Sequence, residues 1–153
     1  MSKSGFSVDY MNDKINELLS KCEHKTLAIW ACDCAEHVIE IFEKEYSQDM
    51  RPRQAIEACR AWINDEISMW NARKSAFPAH ASAREADNKG ASAVARACGH
   101  AIGTAHVPTH APHCATYSAK AVGYVNGDVN GNVNREREWQ YNHLVELYEK
   151  QNG

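Results

Sequence analysis

The stretch from Ala91 to Tyr124, ASAVARACGHAIGTAHVPTHAPHCATYSAKAVGY, constrains the fold more than any other part of the chain. Fifteen alanines lie between Ala76 and Ala121, and alanine both favours helix and leaves little side-chain bulk. Two helices can therefore approach each other closely wherever this segment packs. Imidazole and guanidinium side chains are interleaved with the alanines, so the segment carries polar groups into a closely packed region.

A helical wheel gives this segment two different faces. One face is apolar and contains Val94, Cys98, Ala101, Ile102 and Ala105. The other face carries polar and very small residues, namely Arg96, Gly99, His100, Gly103 and His106. Small residues also recur every four positions at Ala95, Gly99 and Gly103, which predicts close crossing by another helix. We take the polar face as the candidate functional surface.

Helical periodicity continues through the rest of the chain and predicts one compact all-α domain, 1–153, with six or seven helices and no significant sheet. Ser7 or Asp9 is expected to cap the first helix, Pro78 to bend or divide the fourth, and Gly90 to adopt a positive φ in a turn. Asn126–Asn134, NGDVNGNVN, is predicted to be a mobile loop, with Asn134 capping the last helix. The remaining helices are expected at 26–46, at 49–63 with Pro52 in the first turn, at 91–107 and at 110–125.

The net charge of −3 and the pI near 6.2 argue against a general nucleic-acid binder, which usually presents a surplus of Lys and Arg. The N-terminus lacks the apolar run of a secretion signal, and no stretch is long enough to cross a bilayer. We therefore expect a cytoplasmic protein without a membrane partner. The six cysteines lie in apolar helical patterns, as buried free thiols do.

Several charged residues lie at spacings that suggest an ionic surface. Arg53, Glu57 and Arg60 are separated by four and three residues, so they could form salt bridges with one another on one helix. Asp33 lies at the margin of an apolar stripe, one turn from His37. It is either a solvated or locally paired acid or the partner of an arginine from another helix.

A metal site or reaction centre is not assembled in the sequence. His100, His106, His110 and His113 with Cys114 suggest a metal site, since His106, His110 and Cys114 follow one another at intervals of four. Pro108 interrupts the register, however, and no carboxylate lies nearby to orient a ligand. Cys98 and Cys114 fall on apolar sides, which does not suit a nucleophile. Phosphate-binding glycine loops and nucleophile elbows are also missing from the sequence. We predict a binding protein with no catalytic residue, metal ligand or cofactor.

Three blocks of sequence are similar to those of a known family. They are DCAEHVIEIFEKEYSQDMRPRQAIEACRAW, ARKSAFPAHASAREA and AVARACGHAIGTAHVPTHA, followed by RxREWQ near the C-terminus. Over about residues 26–144 the chain resembles the Imm-5-like family of bacterial immunity proteins. The resemblance implies an all-helical cytoplasmic protein that protects its producer from a polymorphic toxin. The positions that the matching blocks carry over are Asp33, Arg51, Arg53, Glu57, Arg60, Trp62, His80, Arg84, Arg96, His100, His106 and His110.

Three hypotheses remain for these polar residues. The first is a stoichiometric binder that occludes a cognate toxin, with a homodimer as an open alternative for its assembly. In the second, an interior cleft binds an anion, small ligand or metal, with or without catalysis, because Arg and His suit carboxylate and phosphate; its lining would be His80, Arg84, Arg96, His100, His106 and His110. In the third, the same groups form a structural network that holds the Ala-rich helices in register.

Overall fold

The computed structural model describes residues 5–153, apart from the side chain of Asn126. These residues form eight α-helices, of which only α4 is shorter than two turns, and they contain no strand. The predicted all-α class is confirmed. The helices are α1 (Asn12–Leu19), α2 (His24–Glu45), α3 (Arg51–Ile63), α4 (Met69–Arg73), α5 (Ala76–Glu85), α6 (Lys89–His106), α7 (His110–Asn126) and α8 (Asn132–Asn152).

Helix α6 lies at the centre of the fold. Thirteen of its eighteen residues are buried, and it contacts α2, α3, α4, α5 and α7. Its apolar face is fully enclosed, with Val94, Cys98 and Ile102 at 0% exposure. Five helices can pack around α6 because the short side chains of its alanines let each neighbour come close to the helix axis. The polar face of α6 therefore lies beneath α5 and α7.

Helix α2 supplies the second half of the core. Eleven of its residues are buried, among them Trp30 and Phe42. The indole Nε1 of Trp30 donates to the carbonyl oxygen of Gln140 at 2.8 Å, which fixes α8 across α2. None of the helices in the described part of the chain has both the length and the apolar character that a membrane span requires.

The predicted division of the fourth helix is present but misplaced, and the prediction for Gly90 was wrong. The break between α4 and α5 falls at Lys74–Ser75, and Pro78 lies in the first turn of α5. Proline is tolerated there because the amide it lacks would have no helical partner. Gly90 is the second residue of α6 and does not have a positive φ. The side chain of Asn88 caps that helix by accepting from the amide of Ala91 at 2.8 Å.

The caps predicted for the first and last helices were also wrong. Met11, in the left-handed conformation, precedes α1 without a side-chain cap. A turn and a short 3-10 segment, Val129–Gly131, connect α7 to α8, which begins at Asn132 and not at Asn134. Asp128 Oδ1 accepts from the amide of Val133 at 2.7 Å and performs the capping. The positive φ values that the Asn-Gly pairs favour do occur here, at Gly127, Asp128, Asn130 and Gly131.

Candidate functional site

A groove of about 520 Å³ lies between α2, α3 and α8, and its walls are mostly charged. We call it the charged groove. Its lining includes Asp33, Glu36, His37, Glu40, Arg53, Arg60, Trp139 and His143. Three of these were expected from the sequence, namely Asp33, Arg53 and Arg60. The others were missed as site residues, because their proximity depends on how α2 and α8 meet.

Asp33 joins three helices at the centre of the charged groove. One carboxylate oxygen accepts from Arg60 Nη2 on α3 at 2.9 Å, and the other lies 2.7 Å from His143 Nε2 on α8. Its side chain is 25% exposed, so the pairs are only partly screened by water. Of the two alternatives for Asp33, the structure shows the partner of an arginine from another helix.

The arginines of α3 pair with α2 and not with one another. Arg53 makes two parallel bonds of 2.9 Å to the carboxylate of Glu43, and its Nη1 lies 3.2 Å from Glu36. Arg60 also reaches Glu36, at 2.7 Å, and its hydrogen bond lowers the pKa of that carboxyl. Glu57 is exposed and has no ion pair within residues 5–153. The predicted salt bridges among Arg53, Glu57 and Arg60 were therefore wrong, since α2 presents carboxylates at better distances.

A column of three rings forms the α8 wall of the charged groove. Trp139 stacks on His37 at 3.7 Å between ring centroids and on His143 at 5.0 Å. His37 Nδ1 lies 2.6 Å from Glu136, a buried carboxylate whose pKa is raised because burial outweighs this contact. His37 therefore has one carboxylate partner and His143 has two, Asp33 and Glu146, so both rings are held in place.

A second polar site lies where α5 and α7 pack against α6. We call His80, His100, His110 and His113 the imidazole cluster. The ring of His100 lies 5.1 to 5.5 Å, centroid to centroid, from those of His80, His110 and His113. It also stacks on Tyr117 at 5.4 Å. His113 and Tyr117 were missed, although both share a face of α7 with His110 at intervals of three and four.

The glycines of α6 make room for these rings. A Cβ atom built on Gly99 would lie 2.5 Å from His80 Nε2, and one built on Gly103 would lie 3.0 Å from the His110 ring. The two glycines thus let the rings of His80 on α5 and His110 on α7 lie directly against α6. Arg96 Nη1 lies 2.9 Å from His80 Nδ1, which accepts this bond when unprotonated.

Burial and neighbouring charges lower the pKa of three histidines of the imidazole cluster. Burial is the main cause that lowers the pKa of His100 to about 3, and the charges of His80, His110 and His113 add to it. Burial likewise lowers the pKa of His80 and of His110. His100 Nδ1 and His110 Nδ1 lie 2.9 Å apart, so one ring donates and the other accepts.

The other predicted residues lie away from both sites. Arg51 joins Asp49 and Glu85, and its hydrogen bond lowers the pKa of Asp49 to about 2. Trp62 packs on His24 at 4.9 Å. His106 is exposed beside Met69 and Trp70, and Arg84 is exposed on α5. Of the six residues predicted to line one cleft, His80, Arg96, His100 and His110 come together, whereas Arg84 and His106 do not.

Metal and thiol chemistry find little support in the geometry. Within residues 5–153, no three His, Cys, Asp or Glu side chains are placed to hold one metal ion. The six cysteines are free, and five of them are buried. Burial raises the pKa of Cys34, Cys98 and Cys114, which keeps these thiols protonated and poorly nucleophilic.

The chain is an all-α protein with a groove of interhelical ion pairs and a partly buried imidazole cluster. The chain belongs to the family described as "Imm-5 like putative immunity protein", whose model matches residues 17–147. This match covers most of the chain and extends the resemblance seen over about 26–144. No curated protein and no solved structure matches the chain.

Proposed function

We propose that this protein neutralises a bacterial toxin in the cytoplasm of its producer by binding it stoichiometrically, without turnover. Membership of an immunity-protein family supports a toxin as the partner. The contact surface that we assign is the charged groove. The observation that carries this assignment is its set of interhelical ion pairs around Asp33, which presents a rigid polar surface to a partner.

The side chains of the charged groove are of the types that dominate binding energies. Trp and Arg are enriched among the residues whose truncation costs most at protein interfaces. Trp139 is held between two imidazoles, and Arg53 and Arg60 are held by carboxylates. Because these side chains are already ordered, less conformational entropy is lost on binding.

The distribution of charge indicates the chemistry of the partner. Residues 67–127 contain six Lys and Arg against two Asp and Glu, a net charge of +4. The rest of the chain, which includes α2, α3 and α8, contains eleven against eighteen, a net charge of −7. The charged groove lies in this acidic part, so it suits a basic surface on the toxin.

The test is co-expression with the toxin encoded beside the gene of this protein. We expect growth to be rescued and a 1:1 complex to elute in size-exclusion chromatography. Glu40→Arg reverses an exposed charge that lines the groove and has no ion pair within residues 5–153. This variant should weaken the complex about tenfold or more, because a like charge then faces the basic partner.

Glu17→Arg is the matched control. Glu17 is exposed on α1, outside the groove, and the substitution makes the same change in net charge. It should leave the affinity within about twofold. Unrelieved killing with no complex would refute the binding function. A complex that both variants weaken equally would refute the charged groove as its contact surface.

A further inference from the structure

A second groove, of about 260 Å³, lies between α6 and α7 and is lined by cations and aromatic rings. We call it the basic groove. Its lining includes Lys89, Arg96, Tyr117, Lys120 and Tyr124. The whole segment 88–127, which forms both walls, contains no Asp or Glu. Three cations therefore line a small concave site without a carboxylate on either wall.

Arg96 is partly buried and, among residues 5–153, has no carboxylate partner, unlike the arginines of α3. Arg51, Arg53 and Arg60 each pair with two carboxylates. Within residues 5–153, Arg96 has one hydrogen bond, to an imidazole nitrogen of His80, and no ion pair. A guanidinium offers five donors, so most of those on Arg96 remain available to a ligand. Withdrawing such a charge from water without a counter-charge is unfavourable, which favours a site that an anion completes.

The neighbouring lysines add charge without closing the groove. Lys120 Nζ lies 4.9 Å from the centre of the Tyr117 ring, and Lys89 Nζ lies 5.9 Å from that of Tyr124. These cation–π contacts hold the ammonium groups over the tyrosines and leave their N–H donors free of carboxylates. The tyrosine rings provide an apolar wall beside the three cations.

We propose that the basic groove binds a small phosphate-type oxyanion, either free phosphate or a phosphate monoester, with Arg96 as the principal contact. Guanidinium matches a tetrahedral oxyanion through paired N–H donors. Lys89 and Lys120 supply point charges to the same ligand, and Tyr117 and Tyr124 contact the organic part of an ester. This site lies on α6 and α7, away from the charged groove, so it is independent of toxin binding.

The imidazole cluster connects this site to pH. Burial is the main cause that lowers the pKa of His80, and the charges of Arg96, His110 and Arg84 add to it; the ring of His100 also lies against it. His106 and His113 add to the positive field on His110. A bound dianion would oppose this field and make protonation of the imidazoles easier.

The experiment is calorimetric titration of the full chain with inorganic phosphate and with phenyl phosphate, at constant ionic strength set with sodium chloride. Both probes test oxyanion recognition, and tighter binding of phenyl phosphate would identify an ester as the ligand. Arg96→Gln should weaken binding of either probe about tenfold or more. Lys120→Gln, on a different helix, should weaken it several-fold, and it keeps the test informative if Arg96→Gln does not fold.

Lys74→Gln is the control, because it removes the same charge from an exposed position outside the groove. Its effect should stay within about twofold, since an exposed charge is screened by salt. Circular dichroism confirms that each variant is folded. No heat of binding from either probe would overturn the proposal. Equal loss in Arg96→Gln and Lys74→Gln would also overturn it, since this indicates non-specific attraction.

Discussion

The imidazole of His100 shows how a single residue can couple the stability of the fold to pH. Burial lowers its pKa in the folded state to about 3, whereas an unfolded histidine titrates near about 6.5. Above about pH 6.5 the ring is neutral in both states, and its contribution to stability is complete. As the pH falls from about 6.5 toward about 3, the unfolded chain takes up a proton that the folded chain excludes. The free energy of unfolding therefore decreases with acidification.

The loss of unfolding free energy on acidification can be measured by urea unfolding at pH 7, 6 and 5. The limiting slope for one group is about 1.4 kcal/mol per pH unit, and we expect about half of that because the imidazole cluster is partly solvated. His100→Asn should show a correspondingly smaller loss of stability over this range. The same loss in both proteins would assign the effect to other groups.

The partners of individual side chains are what the sequence could not predict. Asp33 and His143 are 110 residues apart, and His37 and Glu136 are 99 apart, so their contacts depend on the crossing of α2 and α8. His113 could have been found, because its spacing from His110 and Tyr117 puts the three on one helical face. It was left out of the predicted site residues because the third family block ends at Ala111. Spacing within a helix was thus a better guide than the limits of the resemblance.

At the scale of the element, α6 depends on a glycine that makes room for a ring. Gly99→Ala places a Cβ atom 2.5 Å from His80 Nε2. His80 would have to move, which would break its contacts with Arg96 and His100. We expect a loss of about 1 to 3 kcal/mol in the free energy of unfolding, the usual cost of overpacking. The higher helix propensity of alanine offsets up to about 1 kcal/mol of this cost.

A double-mutant cycle with His80→Ala tests this explanation by urea unfolding. Without the imidazole ring, Gly99→Ala should be neutral or stabilising by up to about 1 kcal/mol, because only the helix propensity remains. An equal cost of Gly99→Ala in both backgrounds would show that the His80 ring is not the cause.

Helices were predictable because their signals are local. The apolar stripes of α2 and α6, and the proline in the first turn of α7, lie within one element each, and the structure has these helices close to the expected bounds. The division between α4 and α5 was misplaced because a proline can lie in the first turn of a helix as well as break one in its interior. Pro78 is the third residue of α5. When one residue fits two local roles, the end of a helix is harder to predict than its existence.

At the scale of the whole molecule, the central helix separates two surfaces of different charge. The charged groove lies among α2, α3 and α8, whose part of the chain has a net charge of −7, and the basic groove lies on α6 and α7 within the part of net charge +4. A net charge of −3 conceals this difference. The charged groove can therefore attract a basic partner while the basic groove attracts an anion, without interference between the two.

This separation predicts how binding to the toxin depends on salt. Raising the ionic strength from about 0.01 to about 0.15 M shortens the screening length from about 30 to about 8 Å. If the acidic part steers a basic toxin, the association rate constant should fall about tenfold over this range while the dissociation rate constant changes less. Stopped-flow fluorescence measures both. Glu40→Arg should reduce the salt dependence, and Arg96→Gln should retain it because the basic groove lies elsewhere. A salt-independent association rate would contradict electrostatic steering by the acidic part of the molecule.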